Sequence, residues 1–447
     1  MPEMSAVGKP PVIAVTAADL DDDGAGVGTV ADRQWHVPDL VPGESAEVAA
    51  VHHSPHQPAS WGRIVARTSP PSADRARPVC PAFGRCGGCP WQHVAYPAQL
   101  AAKHRRVQRA LGDLAEVAPP IAAPSEIHYR AKGKYVAGRT DGHLALGAWA
   151  RDRHAFVDTA GCQLVMPVID RVRGAIVAAA AGARLAPADE RRRTGHLRYA
   201  IVRAGRDGRV LVGLVVHGAT PPAIMDATAA ALTAAAPEVA GVVRLDNDRT
   251  DGGLLDQPPT PLAGARTLDE LIAGVPVALG ASEFAQVNPA QADALYAHVA
   301  ALAEATPQTR AVDVYAGLGG IAFALARAGA TVTAIERDAS AIAALTAAAT
   351  RAGLAVTGEV GDAARLAGFP AVDLVVVNPP RKGCSPATLA AATASSARRM
   401  IYVSCGPESL GRDLAALVAA GWRVDHAQPF DLMPATSQIE TVVRLAR

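Results

Sequence analysis

One cysteine near the end of the chain stands where a nucleophile could act. Cys405 follows residues 400–404, an apolar run typical of a buried strand, and precedes Gly406-Pro407. An inert buried thiol is the common explanation for such a cysteine. A thiolate at the edge of a sheet can also add to carbon 6 of a uracil ring, which makes carbon 5 nucleophilic enough to attack a methyl sulfonium.

A reaction of this kind also requires a base. After methyl transfer, the proton on carbon 5 must be removed so that the thiol can be eliminated and the aromatic ring restored. Glu440, within the segment Gln438-Ile439-Glu440-Thr441, is the candidate. A lone carboxylate near a C-terminus is usually a surface group, so this interpretation depends on the neighbouring motifs.

A glycine-rich turn predicts a site for an adenosine-type cofactor. A predicted strand at residues 311–315 runs into Ala316-Gly317-Leu318-Gly319-Gly320, so glycines stand where the backbone must approach a ligand at the carboxyl edge of a sheet. Glu336 ends the next strand, 19 residues after Gly317, and can accept hydrogen bonds from both ribose hydroxyls. The third glycine of nicotinamide sites is missing, which favours S-adenosylmethionine.

A rigid turn follows another predicted strand. Residues 371–378 lead into Asn378-Pro379-Pro380-Arg381, and the two prolines can hold a polar side chain against a flat substrate or the cofactor. Amino-group methyltransferases commonly carry an aromatic residue after these prolines. Arg381 occupies that position here, which argues against that class.

A second group of cysteines predicts a metal site in the first half of the chain. Cys80, Cys86 and Cys89 are separated by five and two residues with glycines between them, and Cys162 is the fourth cysteine of this half. In a cytosolic protein such clustering favours metal binding over disulfides. Cys384 has no evident role and is interpreted as a structural thiol.

The elements that must position these groups divide the chain into three predicted domains. Short β-type runs lie at residues 11–15, 47–51 and 62–66, and alternating segments lie at 197–202 and 210–216. The first runs predict a small barrel of OB type within residues 1–68. The alternating segments predict a mostly antiparallel sheet in a central α+β domain, residues 69–275.

The last predicted domain, residues 276–447, has a different pattern of strands and helices. Predicted strands at 311–315, 331–336, 371–378 and 400–404 alternate with Ala-rich helical stretches. This alternation predicts a doubly wound, Rossmann-like α/β domain whose parallel strands bring their carboxyl ends, and therefore the candidate residues, to one edge.

Basic residues cluster in one predicted helix and one predicted loop. Leu100, Val107 and Leu111 share one face of the helix, while the remaining faces carry Lys103, Arg105, Arg106 and Arg109. These four side chains are either a solvated surface or a contact for RNA phosphates, and the pattern leaves both possibilities open. The run of arginines at 191–193 is interpreted as a solvated turn rather than a binding site.

The composition sets limits on the class of protein. The chain has 447 residues, 50% of them hydrophobic and 19% charged, with a net charge of +1. This is a globular composition that excludes a disordered or strongly basic protein, so any nucleic-acid surface must be local. There is no signal-like start and no stretch of about 18 apolar residues, so we expect a cytoplasmic protein without a membrane partner.

Together the motifs resemble a known family, the RNA uracil-C5 methyltransferases, and in particular its members with a TRAM domain and an iron–sulfur cluster. The resemblance covers nearly the whole chain and rests on the order and spacing of the motifs. They are Cys80-x5-Cys86-x2-Cys89 with Cys162, Phe284-Ala285-Gln286-Val287-Asn288, the glycine-rich turn, Asn378-Pro379-Pro380-Arg381, Tyr402 to Pro407, and Asp431 to Glu440.

The resemblance implies S-adenosylmethionine-dependent methylation of a uridine in RNA, with 23S rRNA the favoured substrate. Cys405 would be the nucleophile and Glu440 the general base. The residues implied around the cofactor or the base are Gln286, Tyr315, Gly320, Glu336, Asp362 and Asn378. The four cysteines Cys80, Cys86, Cys89 and Cys162 would ligate a [4Fe-4S] cluster, with zinc as the alternative. Residues 1–68 would be a TRAM-type RNA-binding barrel, and we expect a monomer.

Three positions depart from the usual pattern of this family. Asn378 stands where Asp is usual, Gly406 where Asn is common, and Gln438 where His is frequent. Asn378 removes a carboxylate close to the base and the cofactor, but an amide can still donate to and accept from uracil. The alternatives are a tRNA uridine-C5 or an RNA cytosine-C5 methyltransferase, and a non-catalytic RNA-binding iron–sulfur protein.

Overall fold

The computed structural model describes residues 12–151, 155–189, 192, 194–249, 258–369 and 371–447. Pro11 of the first predicted strand, and Arg191 and Arg193 of the basic run, lie outside these residues. Within the described part of the chain, none of the helices combines the length and the apolar character needed to cross a lipid bilayer.

The N-terminal region forms a six-stranded sheet. Its strands are β1 (Val12–Thr16), β2 (Asp19–Leu20), β3 (Gly26–Val30), β4 (Arg33–Val37), β5 (Ser45–His53) and β6 (Ala59–Arg67). They are ordered β1-β5-β6-β4-β3-β2, with β4 and β6 parallel and the other pairs antiparallel. The strands predicted at 47–51 and 62–66 lie within β5 and β6, while the TRAM or OB type of this sheet stays a prediction.

A long helix connects this sheet to the rest of the protein. Helix α1 (Tyr96–Leu111) carries a proline in its first turn, where the missing amide costs no hydrogen bond. Val107 and Leu111 of its predicted apolar face are buried in the core of the C-terminal sheet. The helix therefore packs directly on the catalytic region predicted from the sequence.

The central region forms a sheet of seven strands. The alternating segments of the sequence predicted a mostly antiparallel sheet here. Its elements are β7 (Lys132–Thr140), β8 (His143–Trp149), β9 (Phe156–Asp158), α2 (Pro167–Gly182), β10 (Leu197–Ala204), β11 (Val210–Val216), α3 (Pro222–Ala235), β12 (Val239–Asp246) and β13 (Thr260–Gly264). The order is β13-β12-β11-β10-β7-β8-β9, and of these pairs only β11 and β12 run parallel among the described strands. The sheet is thus mostly antiparallel.

A hairpin and a long α/β region complete the chain. The hairpin is β14 (Leu268–Ile272) and β15 (Val275–Leu279). The elements that follow are α4 (Pro289–Ala303), β16 (Arg310–Val314), α5 (Gly320–Arg327), β17 (Thr331–Glu336), α6 (Ala339–Arg351), β18 (Val356–Val360), β19 (Leu374–Val377), α7 (Pro386–Ala394), β20 (Arg399–Ser404), α8 (Pro407–Ala419), β21 (Arg423–Phe430) and β22 (Glu440–Ala446). Ile272 and Val275 pack in the C-terminal core, so the hairpin crosses the predicted domain limit at 275. The two limits between the predicted domains stay predictions.

The strand order of the C-terminal sheet determines where the candidate residues lie. Its order is β18-β17-β16-β19-β20-β22-β21, with the first five strands parallel and β22 antiparallel to both neighbours. Strand β19 is buried at every residue, as expected for a parallel strand covered by helices on both faces. The carboxyl ends of β16, β17, β19 and β20 meet at one edge, where ligands bind in doubly wound sheets.

Candidate active site

A cavity of about 450 Å³ opens at this edge of the C-terminal sheet. Of the residues that the sequence singled out, those lining it are Gln286, Tyr315, Gly320, Glu336, Asn378, Cys405 and Glu440. They come from segments separated by more than 150 residues in the chain, and the sheet topology brings them together. Among the implied cofactor residues, Asp362 is absent from the lining: it is exposed, and its Oδ1 accepts a hydrogen bond from the amide of Ala364 at 2.8 Å.

The turn after β16 has a backbone that requires glycine. Gly317 and Gly319 have φ of +53° and +88°, in the left-handed region. A Cβ on Gly319 would lie 2.7 Å from Leu345, and one on Gly320 would lie 2.4 Å from the ring of Tyr296. Tyr315 adopts φ of +64° although it is not glycine, a conformation that is concentrated at functional sites.

Glu336 is oriented by three backbone amides. Its Oε2 accepts from the amide of Gly317 at 3.1 Å, and its Oε1 accepts from the amides of Arg337 and Asp338 at 2.7 and 3.2 Å. A carboxylate has about four lone-pair directions, so acceptor capacity remains on the cavity side. The group is therefore preorganised to accept hydrogen bonds from a diol such as a ribose.

The candidate nucleophile and base lie at adjacent ends of two neighbouring strands. Ser404, at the end of β20, is paired with Thr441 of β22. Cys405 directly follows Ser404 and Glu440 directly precedes Thr441, so both lie next to this pair. Burial, and then the charge of Glu440, raise the pKa of the Cys405 thiol. Burial likewise raises the pKa of Glu440 to about 7, which suits a general base at neutral pH.

Arg381 is the charged group that opposes both shifts. Its guanidinium lowers the pKa of Cys405 and of Glu440, and its Nη2 donates a hydrogen bond to Oε1 of Gln438. The backbone carbonyl of Arg381 accepts a hydrogen bond from Ser409 at 2.8 Å. A Cβ on Gly406 would lie 2.9 Å from that carbonyl oxygen, which explains glycine at this position. The sequence singled out Arg381 as part of the motif at 378–381 and as an argument against amino-group methyltransferases, but not as a charge beside the candidate nucleophile.

The four cysteines of the first half line a second cavity, of about 160 Å³. They are Cys80, Cys86, Cys89 and Cys162, and all four are free thiols. Burial, with repulsion among the thiolates, raises the pKa of Cys89 to about 12 and that of Cys86 and Cys80 above the ordinary value. Among the described residues, no group of three or more histidine, cysteine or acidic side chains is arranged to hold a metal ion.

The basic residues of α1 form ion pairs with acidic residues elsewhere in the chain. Lys103 is fully buried against Asp431, with 2.7 Å between Nζ and Oδ1. Arg105 and Arg109 both pair with Asp19 of the N-terminal sheet. Arg106 pairs with Asp22 and Glu408. For Lys103, neither a solvated surface nor an RNA contact describes the environment, because it has no exposed area.

Cys384 is buried, and its amide donates a hydrogen bond to Asp413 at 2.7 Å. The same carboxylate accepts a hydrogen bond from the hydroxyl of Tyr402 at 2.7 Å. Burial raises the pKa of the Cys384 thiol to about 12, which keeps it protonated at neutral pH. These surroundings are those of a structural thiol.

Comparisons with known proteins agree with this geometry. Residues 362–447 match the family model described as tRNA (Uracil-5-)-methyltransferase, and residues 292–401 match the model of a methyltransferase small domain. An uncharacterized RNA methyltransferase of Halalkalibacterium halodurans is 30% identical over 99% of this chain and 98% of its own length. Another, of Gloeobacter violaceus, is 34% identical over 98% of this chain and 97% of its own length.

A solved structure shares the fold of nearly the whole chain. It is a Pyrococcus abyssi tRNA (uracil-54, C5)-methyltransferase in complex with S-adenosyl-L-homocysteine, with a TM-score of 0.77 and 21% identity. The match covers 97% of this chain and 100% of that one. The C-terminal sheet therefore has the fold of S-adenosylmethionine-dependent methyltransferases. The chain belongs to the RNA methyltransferases, and its residues 362–447 match the uracil-5 methyltransferase family model.

Proposed function

We propose that this enzyme methylates carbon 5 of a uridine in RNA through a covalent adduct with Cys405. The observation that carries the proposal is that Cys405 and Glu440 line the same cavity as Glu336 and the glycine-rich turn. A nucleophile, a base and a diol-binding carboxylate in one cavity are what the reaction requires. The cofactor, S-adenosylmethionine, would supply the methyl group on a positively charged sulfur atom.

The side chains divide the reaction between them. The thiolate of Cys405 adds to carbon 6 of the uracil and makes carbon 5 nucleophilic. The guanidinium of Arg381 favours that thiolate, since it lowers the pKa of Cys405 against the effect of burial. After methylation Glu440 takes the proton from carbon 5, the electrons of the C–H bond form the C5–C6 double bond, and the electrons of the C–S bond return to sulfur.

Asn378 and Gln286 are proposed to hold the uracil and the cofactor. Both side chains belong to residues that line the cavity. Each amide can donate and accept, which matches the alternating donors and acceptors on the edge of uracil. Because uridine in a duplex hides carbon 6, the base must be unpaired or flipped out to reach Cys405.

The four-cysteine cavity is proposed to bind a [4Fe-4S] cluster. Four thiolates are the usual ligand set of such a cluster. All four cysteines line this one cavity of about 160 Å³, and this arrangement supports the proposal. The cluster would balance the charge of the thiolates and would cross-link residues 80–89 to residue 162.

We infer that the substrate is 23S rRNA, from the resemblance to members with a TRAM domain and a cluster. An exposed aromatic group on the N-terminal sheet supports RNA binding there. Trp61 is 38% exposed and stacks on His36 with 5.1 Å between ring centroids, and aromatic faces stack unpaired bases. A tRNA substrate is the second candidate, because the matching family model and the P. abyssi enzyme both carry tRNA in their descriptions.

Methylation of separate rRNA and tRNA pools, followed by nucleoside analysis, tests the proposal. We expect 5-methyluridine in the rRNA pool and none with the Cys405→Ala enzyme. Methyluridine in the tRNA pool alone would establish the second candidate. Methylcytidine without methyluridine would contradict the reaction proposed here, and RNA binding without any methylation would point to a non-catalytic role.

A further inference from the structure

The segment that precedes the candidate base is an irregular but buried loop. Residues 431–439 connect β21 to β22, and Glu440 is the first residue of β22. Asp431 has no exposed area, and Leu432, Ala435 and Ile439 are 3%, 7% and 2% exposed. Loops usually lie on the surface because their backbone polar groups need partners. The partners of this loop must therefore come from other parts of the protein.

Helix α1 provides several of these partners. Gln99 accepts a hydrogen bond from the amide of Ala435 at 2.8 Å. Lys103, one helical turn further, donates to Oδ1 of Asp431 at 2.7 Å and to the carbonyl of Met433 at 3.1 Å. Two neighbouring positions on one face of α1 thus hold three residues of the loop.

The cysteine-containing segment contacts the same loop. The amide of Trp91, two residues after Cys89, donates to the carbonyl of Ala435 at 3.0 Å. Tyr129 donates from its hydroxyl to the carbonyl of Pro434 at 3.1 Å. The loop before Glu440 is consequently built against the region that carries the four cysteines rather than against its own sheet alone.

The Lys103–Asp431 pair is the charged contact of this arrangement. Both side chains have no exposed area, and a buried charge is strongly unfavourable without its partner. Oδ1 of Asp431 also accepts from the amide of Met433 at 3.0 Å, so the carboxylate links the ammonium group to the backbone of the loop. Any displacement of the loop would separate a desolvated cation from its anion. The pair therefore restricts the loop to one position.

We propose that Lys103 and Asp431 position Glu440 for the elimination step, and that α1 thereby couples the cysteine-containing segment to catalysis. This inference rests on the proposed function, in which Glu440 removes the carbon 5 proton. Lys103 and Asp431 are positioning residues, because they act through the loop and line no part of the cavity among the described residues. Arg106 forms a second contact between α1 and the catalytic region. Its Nε donates a hydrogen bond at 2.8 Å to Glu408, three residues after Cys405.

The order of the chemical steps gives a specific readout. Addition of Cys405 and methyl transfer precede proton removal, so they do not need the carboxylate of Glu440 in place. Proton removal forms the C5–C6 double bond and expels the thiolate, and this step does need it. A misplaced Glu440 should therefore cause the methylated RNA–protein adduct to accumulate, whereas a general loss of folded enzyme would reduce all steps equally.

The experiment uses the full-length protein, unsubstituted RNA and S-adenosylmethionine with a radioactive methyl group. Rapid quenching into denaturant measures methyl transfer, and a denaturing gel measures the covalent adduct over time. For Lys103→Met we expect release about tenfold slower and methyl transfer within about threefold of the wild type. Arg109→Met is the matched control, because Arg109 lies on the same helix but pairs with Asp19, and it should behave as the wild type.

A second variant separates positioning from the cost of an unpaired buried charge. Lys103→Met combined with Asp431→Asn removes both charges, so it should fold like the wild type and still accumulate the adduct. Equal slowing of transfer and release in both variants, or wild-type release in both, would overturn the inference. Failure of the wild type and of Glu440→Gln to form any adduct would instead overturn the proposed function, and the inference with it.

Discussion

The active-site cavity and the four-cysteine cavity are both lined by residues that the sequence singled out, but they differ in what surrounds those residues. In the active-site cavity Glu336 is held by three backbone amides, and Arg381 offsets the burial of Cys405 and Glu440. In the cysteine cavity, burial and mutual repulsion raise the pKa values of three thiols. In the first cavity groups of the protein oppose the effect of burial, whereas in the second burial disfavours the thiolates.

This difference predicts that removing one group from the active site changes the chemistry and leaves the fold intact. We expect Glu440→Gln to slow turnover by about 10³-fold, the scale of general base catalysis, and to trap the methylated adduct. Turnover and adduct formation with radioactive S-adenosylmethionine check the prediction. Turnover within tenfold of the wild type would remove Glu440 from the role of base.

Removing one group from the cysteine cavity should instead change stability. We expect Cys89→Ser to lose most of the iron and to lower the free energy of unfolding by about 3 kcal/mol, the scale of removing a covalent cross-link. Iron analysis and denaturant unfolding measure both effects. Cys384→Ser is the matched control, since Cys384 lies outside that cavity, and it should retain the iron. The comparison would be contradicted if the wild-type protein contained no iron and Cys89→Ser were as stable as the wild type.

The raised pKa of Glu440 also has a consequence for stability. Its folded-state pKa of about 7 exceeds the ordinary value of 4.5, so the folded state holds its proton more tightly than the unfolded state. That stabilisation is complete below about pH 4.5 and is lost as the pH rises through 7. Glu440→Gln should therefore be more stable than the wild type by about 3 kcal/mol at pH 8 and nearly equal to it at pH 4. Denaturant unfolding at the two pH values checks the difference.

The smallest effect is expected from Arg381. Because its guanidinium lowers the pKa of both Cys405 and Glu440, Arg381→Gln should raise both pKa values. We expect kcat/KM at pH 7 to fall about tenfold and the rising limb of the pH profile to move to higher pH. Recovery of activity at alkaline pH distinguishes this electrostatic effect from damage to the site. A profile that keeps its shape would show that Arg381 acts only through its contact with Gln438.

The sequence predicted well whatever depends on local pattern. Strand β17 coincides with the predicted residues 331–336, and β11 coincides with 210–216, because buried strands are read from apolar residues and flanking turns. The position of Cys405 and the glycine-rich turn at the same edge of the sheet was predicted from the rule that parallel strands bring their carboxyl ends together. The similarity to RNA uracil-5 methyltransferases likewise followed from motif order.

What the sequence did not predict depends on partners that are distant in the chain. Lys103 and Asp431 are 328 positions apart, and nothing in the local pattern of α1 distinguishes this lysine from its exposed neighbours. The role of Asp362 came from a motif alone, while its side chain caps the short helix at Ala363–Gly368. The opposing effect of Arg381 on Cys405 and Glu440 required three-dimensional proximity.

The central claim is that Cys405 becomes covalently bound to carbon 6 of a uridine. Its most direct test is mass spectrometry of the protein incubated with S-adenosylmethionine and rRNA containing 5-fluorouridine. Fluorine cannot leave carbon 5 as a proton does, so the enzyme should be trapped on the RNA after methyl transfer. We predict a methylated adduct that maps to Cys405 and disappears in Cys405→Ala. An adduct on another residue, or none on rRNA or tRNA while the cofactor still binds, would contradict the account.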